Sequence, residues 1–127
     1  MELLNKPVKI LLIMIITKAS SYTKIETKKL KELFDPYIKT VIDIRTKMCS
    51  AGCDRHFESE QILLKGGSRQ TDIWGGGIDL ATRIIDCNSF INIRPNDGNT
   101  SNEIMDVKIR KKYKKLSEYF FKVVYDK

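Results

Sequence analysis

Cysteine is scarce in this chain, and the little there is excludes a disulfide scaffold. Three residues, Cys49, Cys53 and Cys87, form an odd set with no framework spacing. That pattern belongs to a reducing compartment, so a cytoplasmic protein is expected. Long apolar runs are missing too. The longest, Ile10 to Ile16, is seven residues behind Lys6 and Lys9, far short of a membrane span, and it reads as a buried strand better than as a secretory segment. Histidine occurs once, so His56 is the sole side chain whose ordinary pKa lies near neutrality. The glycines at 75–77 lack Walker or dinucleotide spacing, and no cofactor is expected.

What remains is the composition of one globular domain. Hydrophobic residues make up 42% and charged residues 31% of 127, enough to bury a real core. The net charge is +7 and the isoelectric point about 9.3. Such a balance favours anionic partners, nucleic acid first, against the plainer alternative of a lysine-rich solvated surface. Only six of the 23 basic residues are arginine, which is weak material for bidentate phosphate or guanine recognition. No membrane partner is expected; a protein partner or homo-oligomer stays open.

Hydrophobic periodicity predicts an α+β fold in the order β-α-β-β-α-β-β-α, with a mainly antiparallel or mixed sheet of about five strands. Val8 to Thr17 is apolar continuously and predicts a central strand. A helix capped by Ser20 or Ser21 follows and ends at Asp35-Pro36. Strands are expected over Tyr37 to Arg45 and Met48 to Ala51. A second helix capped by Asp54 runs to Gly66-Gly67, and then strand Ile73 to Leu80. The last helix starts after Thr100 or after Asp106, with Ile109, Tyr113, Leu116, Phe120 and Val123 on its packing face and Lys108, Arg110, Lys111, Lys112, Lys114 and Lys115 crowding its first half. That basic run suits phosphate tracking or plain solvation.

The segment Ile84 to Arg94 alternates. Ile85, Cys87, Ser89, Ile91 and Ile93 fall on one face, and Ile84, Asp86, Asn88, Phe90, Asn92 and Arg94 on the other, which predicts one long strand with a polar ligand face. The triplet Gly75-Gly76-Gly77 beside it marks a close backbone approach, and Trp74 offers a stacking surface or a core ring. Arg94, Asn88 and Asn92 are candidate donors, Asp86 and Asp79 acceptors, with Gly76 in the hairpin. His56, Glu58 and Asp86 are candidate acid–base residues if the helix start faces that strand. Cys49, Cys53 and His56 have part of a zinc spacing, with only Cys87 or a carboxylate left to complete four ligands, and no metal set is expected.

The motifs Asp72-x-Trp74-Gly75-Gly76-Gly77-x-Asp79, Ile85-Asp86-x-Asn88-Ser89-x-Ile91-Asn92-Ile93-Arg94-Pro95 and Asn99 through Arg110 resemble those of a family of small uncharacterised prokaryotic proteins, from about Met14 to the last helix. The resemblance implies that residues 1–13 are an extension or a misassigned start before a single domain over 14–127. It also implies small residues where Cys49 and Cys53 stand, and it keeps His56 in play through a similar His-Ala-Asp-x-Glu. No reaction comes with it. Three functions follow as expectations. The first is binding of a polar or anionic partner through the strand face and glycine hairpin. The others are a small hydrolase or nuclease using His56 with a carboxylate or divalent metal, and a protein-interaction module pairing through a sheet edge.

Overall fold

A computed structural model describes residues 15–126. One antiparallel sheet carries strands β1 (Ile16–Lys18), β2 (Tyr37–Asp43), β3 (Met48–Ala51), β4 (Ile73–Asp79) and β5 (Ile84–Asp86) in the spatial order β1-β3-β2-β4-β5. Helices α1 (Lys24–Phe34), α2 (His56–Lys65), α3 (Val107–Phe120) and the short α4 (Lys122–Tyr125) complete it. The α+β class and the element order agree with the sequence reading.

Period two on β2 builds both cores. Ile38 and Ile42 join Tyr22, Leu30, Trp74, Ile78, Tyr113, Phe120 and Phe121 on the α1/α3 face. Val41 joins Leu63 and Ile73 on the α2 face. With both faces covered, β2 is the central strand. The apolar run expected in that place falls mostly outside the described residues. Its described end, Ile16–Lys18, is instead a half-buried edge strand paired with β3.

Helix starts follow the chemistry of capping. Thr23 caps α1, its hydroxyl accepting from Glu26 N at 3.1 Å while the Glu26 carboxylate accepts from Thr23 N at 2.9 Å. The serines at 20 and 21 lie too early. At α2 the Glu58 carboxylate accepts from Asp54 N and Arg55 N at 3.0 and 2.9 Å, so Asp54 is satisfied by Glu58 and is not itself the cap. Asp106 caps α3 by accepting from Lys108 N and Ile109 N.

The largest departure lies in 84–94. Extended pairing stops at Asp86; a single bridge follows at Asn88, then a 3-10 turn over Phe90–Asn92 and a bridge from Arg94 to Asn99. Short side chains divert the backbone. Asp86 Oδ1 accepts from Asn88 N at 3.0 Å and Ser89 Oγ from Ile91 N at 3.2 Å, local bonds that compete with a ladder. The Asn92 carboxamide then stands in for the missing strand. Its Oδ1 accepts from Gly75 N at 2.8 Å and its Nδ2 donates to Gly75 O at 2.9 Å.

Candidate functional site

One row of residues across the sheet sets the geometry. Lys39 pairs with Gly77, and Gly77 with Asp86, so the three lie side by side on the α2 face. Strands stand about 4.8 Å apart, which separates the backbones of Lys39 and Asp86 by roughly 10 Å. Gly77 between them has no side chain, and the Tyr37 ring leans into that vacancy; a Cβ on Gly77 would collide with the phenol and with Ile38 O. Above the row is an open cavity of about 320 Å³ lined by Tyr37, Lys39, His56, Asp86, Asn88, Ser89, Phe90 and Asn102.

His56 enters as the first residue of α2. Its Nε2 lies 2.7 Å from Gly76 O. A carbonyl only accepts, so Nε2 carries the proton, and Nδ1 is left as the basic atom of the neutral ring. Burial lowers the imidazole pKa below its ordinary value, and the Lys39 charge pushes the same way. The bond to Gly76 and the Asp86 charge act against them. Burial, together with the neighbouring Asp86 carboxylate, holds the Tyr37 phenol well above its usual range. A neutral imidazole, a carboxylate, an ammonium and two carboxamides therefore share one recess.

The polar row expected on a single strand is dispersed. Asp86, Asn88 and His56 meet in the cavity, and Gly76 is the carbonyl anchoring His56. Glu58 is spent on the start of α2. Asp79 caps the turn after β4, accepting from Ala81 N and Thr82 N at 2.9 and 3.0 Å. Asn92 is fully buried, its Nδ2 also donating to Cys87 O and Asn102 O. Every polar atom of that carboxamide is taken up by backbone, so it offers a ligand nothing.

Trp74 and Arg94 form a second, separate cluster. The guanidinium stacks over the indole, 4.0 Å from carbon to ring centroid. Its Nη1 donates to Gln70 O, and its Nε lies 3.9 Å from Asp97. Arg94 Nε and Nη2, Trp74 Nε1 and Glu60 Oε2 are buried without a protein hydrogen-bond partner. Burial raises the Glu60 pKa, against the neighbouring Gln70 side chain and the Arg94 charge.

No group of three His, Cys, Asp or Glu side chains among the described residues is arranged to hold a metal. All three cysteines are free and buried, and no described helix is long and apolar enough to cross a membrane. Sequence reasoning missed Tyr37, Lys39 and Asn102. The first two were within reach, since period two on β2 puts them opposite Ile38, Thr40 and Ile42. Asn102 sits in a loop with no periodic signal.

No curated protein and no solved structure matches the chain. A family model does, over residues 14–120, described as Protein of unknown function (DUF5674). That span holds every residue lining the cavity, and the chain belongs to this family.

Proposed function

We propose that this protein is a small hydrolase, with His56 as general base acting on a polar substrate that bears a negatively charged group. One observation carries the reading: the only histidine is half-buried, fixed through Nε2 on Gly76 O, and shares a recess with Lys39 and Asp86. In the hydrolytic step a water gives its proton to His56 Nδ1 as its oxygen attacks the electrophilic centre. The leaving group departs with the bonding pair and then takes that proton from the imidazolium. Lys39 counters the developing negative charge, and the Asp86 carboxylate stabilises the imidazolium. Of the two candidate carboxylates, Glu58 is held by the backbone at the start of α2, which leaves Asp86 for that role. Three free buried thiols support a reducing, cytoplasmic setting.

The test compares wild type with His56→Gln and Lys39→Met on p-nitrophenyl carboxylic and phosphoric esters. Glutamine can still donate to Gly76 O but has no basic nitrogen. The reading expects turnover by the wild type and a loss of about 100-fold or more in His56→Gln. Full activity in that variant, or no turnover of any ester by the wild type, overturns the catalytic role. Binding without turnover is the second reading, favoured by Phe90, 84% exposed while lining the same cavity. It predicts that acetate or phosphate shifts the His56 ring resonances with no ester consumed.

A further inference from the structure

A second recess lies at the other end of β2, where the β2–β3 turn approaches α3. It is a trough of about 580 Å³ lined by Ile44, Arg45, Lys47, Lys112, Lys115 and Leu116. Four of its six lining residues are cations and none is an anion. We propose that this trough binds the phosphodiester backbone of nucleic acid, without reading its bases. The inference is independent of the His56 cavity.

Two features set this surface apart from an ordinary solvated one. The first is placement. Positions 108, 110, 111, 112, 114 and 115 of α3 are all Lys or Arg, the first two in its opening turn, where no residue after the Asp106 cap is acidic. Cations there oppose the macrodipole, and the pairs 108/112, 110/114 and 111/115 repel across one turn. Helix stability does not favour this arrangement; an anionic ligand does. The second is that none of these six α3 cations forms an ion pair among the described residues. In the trough, Arg45 is steadied by Asp72, its Nε 3.0 Å from Oδ2.

The shape favours a strand over a membrane. Lys108, Lys112 and Lys115 make a stripe rising about 10 Å along the helix, in line with a concave, apolar-floored trough. A helix that lies on lipid needs a free apolar face. Here Tyr113 and Phe120 are fully buried in the core, with Ile109 and Leu116 packed against them. No aromatic side chain lines the trough, so there is no stacking platform, and binding tracks backbone alone.

The test is fluorescence anisotropy with a labelled 20-nucleotide polythymidylate and a 20-base-pair duplex of mixed sequence, from 50 to 200 mM KCl. The variants are Lys112→Glu/Lys115→Glu and a charge-matched control on the exposed surface of α1, Lys28→Glu/Lys29→Glu. Supporting results are binding that weakens steeply with salt, at least tenfold further loss in the α3 double variant with a salt slope shallower by about 2, and a control within about twofold of wild type. Equal losses in the two variants would mean delocalised charge and would overturn the proposal. So would absence of binding at 50 mM, or binding confined to phosphatidylserine vesicles. Circular dichroism checks that the variants are folded.

Discussion

Two side chains at the residue scale separate the work of folding from the work of the site. In the sequence Asn92 reads as a ligand donor, because an amide on a polar strand face is unusual. The structure gives it the opposite task, closing the β4 edge through four bonds to backbone. Asn92→Asp keeps the shape but loses both donors, leaving three carbonyls without that partner. A cost of about 3 kcal/mol is expected in urea unfolding, and a loss under about 1 kcal/mol would show the carboxamide to be dispensable. His56 is the counterpart, a polar side chain that one bond orients and leaves basic. Its ring should titrate below the ordinary value by NMR. Lys39→Ala removes a repelling charge and should raise that pKa, whereas Asp86→Asn removes a stabilising one and should lower it. Shifts of the reverse sign would mean that the three groups do not share the recess. A base with a depressed native pKa also sets a direction for stability. Below about pH 6.5 the unfolded chain takes a proton that the native ring resists, so His56 makes stability fall as the pH drops.

At the scale of elements, the glycine strand explains why the cavity exists and why it was only partly legible. Gly76 and Gly77 serve opposite faces. On Gly76 a Cβ would strike the Asp86 carbonyl and come within 2.7 Å of Tyr113 Oη. On Gly77 it would displace Tyr37. Gly76→Ala therefore pushes β5 from β4 and should cost about 3 kcal/mol in chemical denaturation. Gly66→Ala, at the end of α2, meets nothing closer than 3.4 Å and should stay within about 0.5 kcal/mol of wild type. Equal costs would mean that no close approach constrains β4. The triplet announced such an approach in sequence because strands avoid glycine, but not what approaches. Period two gave β2 its faces and β4 its place. It failed over 84–94, where buried and exposed residues do alternate through much of the segment while the backbone turns. Alternation records burial, and Ser89 and Asn92 reach it by hydrogen-bonding locally and across to β4. The meeting of His56 with Asp86 depends on strand order, and no local pattern carries that.

Across the whole molecule, charge and burial act at different pH values, and the alkaline limb tests the core as a unit. Burial pushes the Cys49 thiol up to about 12 and the Cys53 and Cys87 thiols up to about 11. It also holds the Tyr22 and Tyr113 phenols well above their usual value. An unfolded chain ionises its thiols near pH 8.5 and its phenols near 10. Between about pH 9 and 11 the native state therefore binds more protons than the unfolded one, and stability declines as the pH rises. Each group contributes about 1.4 kcal/mol per pH unit while its two states differ fully. Three thiols together reach about 4 kcal/mol per unit, a large part of a stability of about 5–15 kcal/mol. The melting temperature should thus hold level from about pH 7 to 8 and drop by at least about 10 °C by pH 10.5. Cys49→Ala, though less stable at pH 7, should show a shallower decline, because one of the buried thiols that resists ionisation is gone. A melting temperature unchanged between pH 8 and 10.5 would require the thiols to ionise equally in both states. That is incompatible with a core in which Cys49 is fully enclosed between Ile42 and Lys18 on the neighbouring strands.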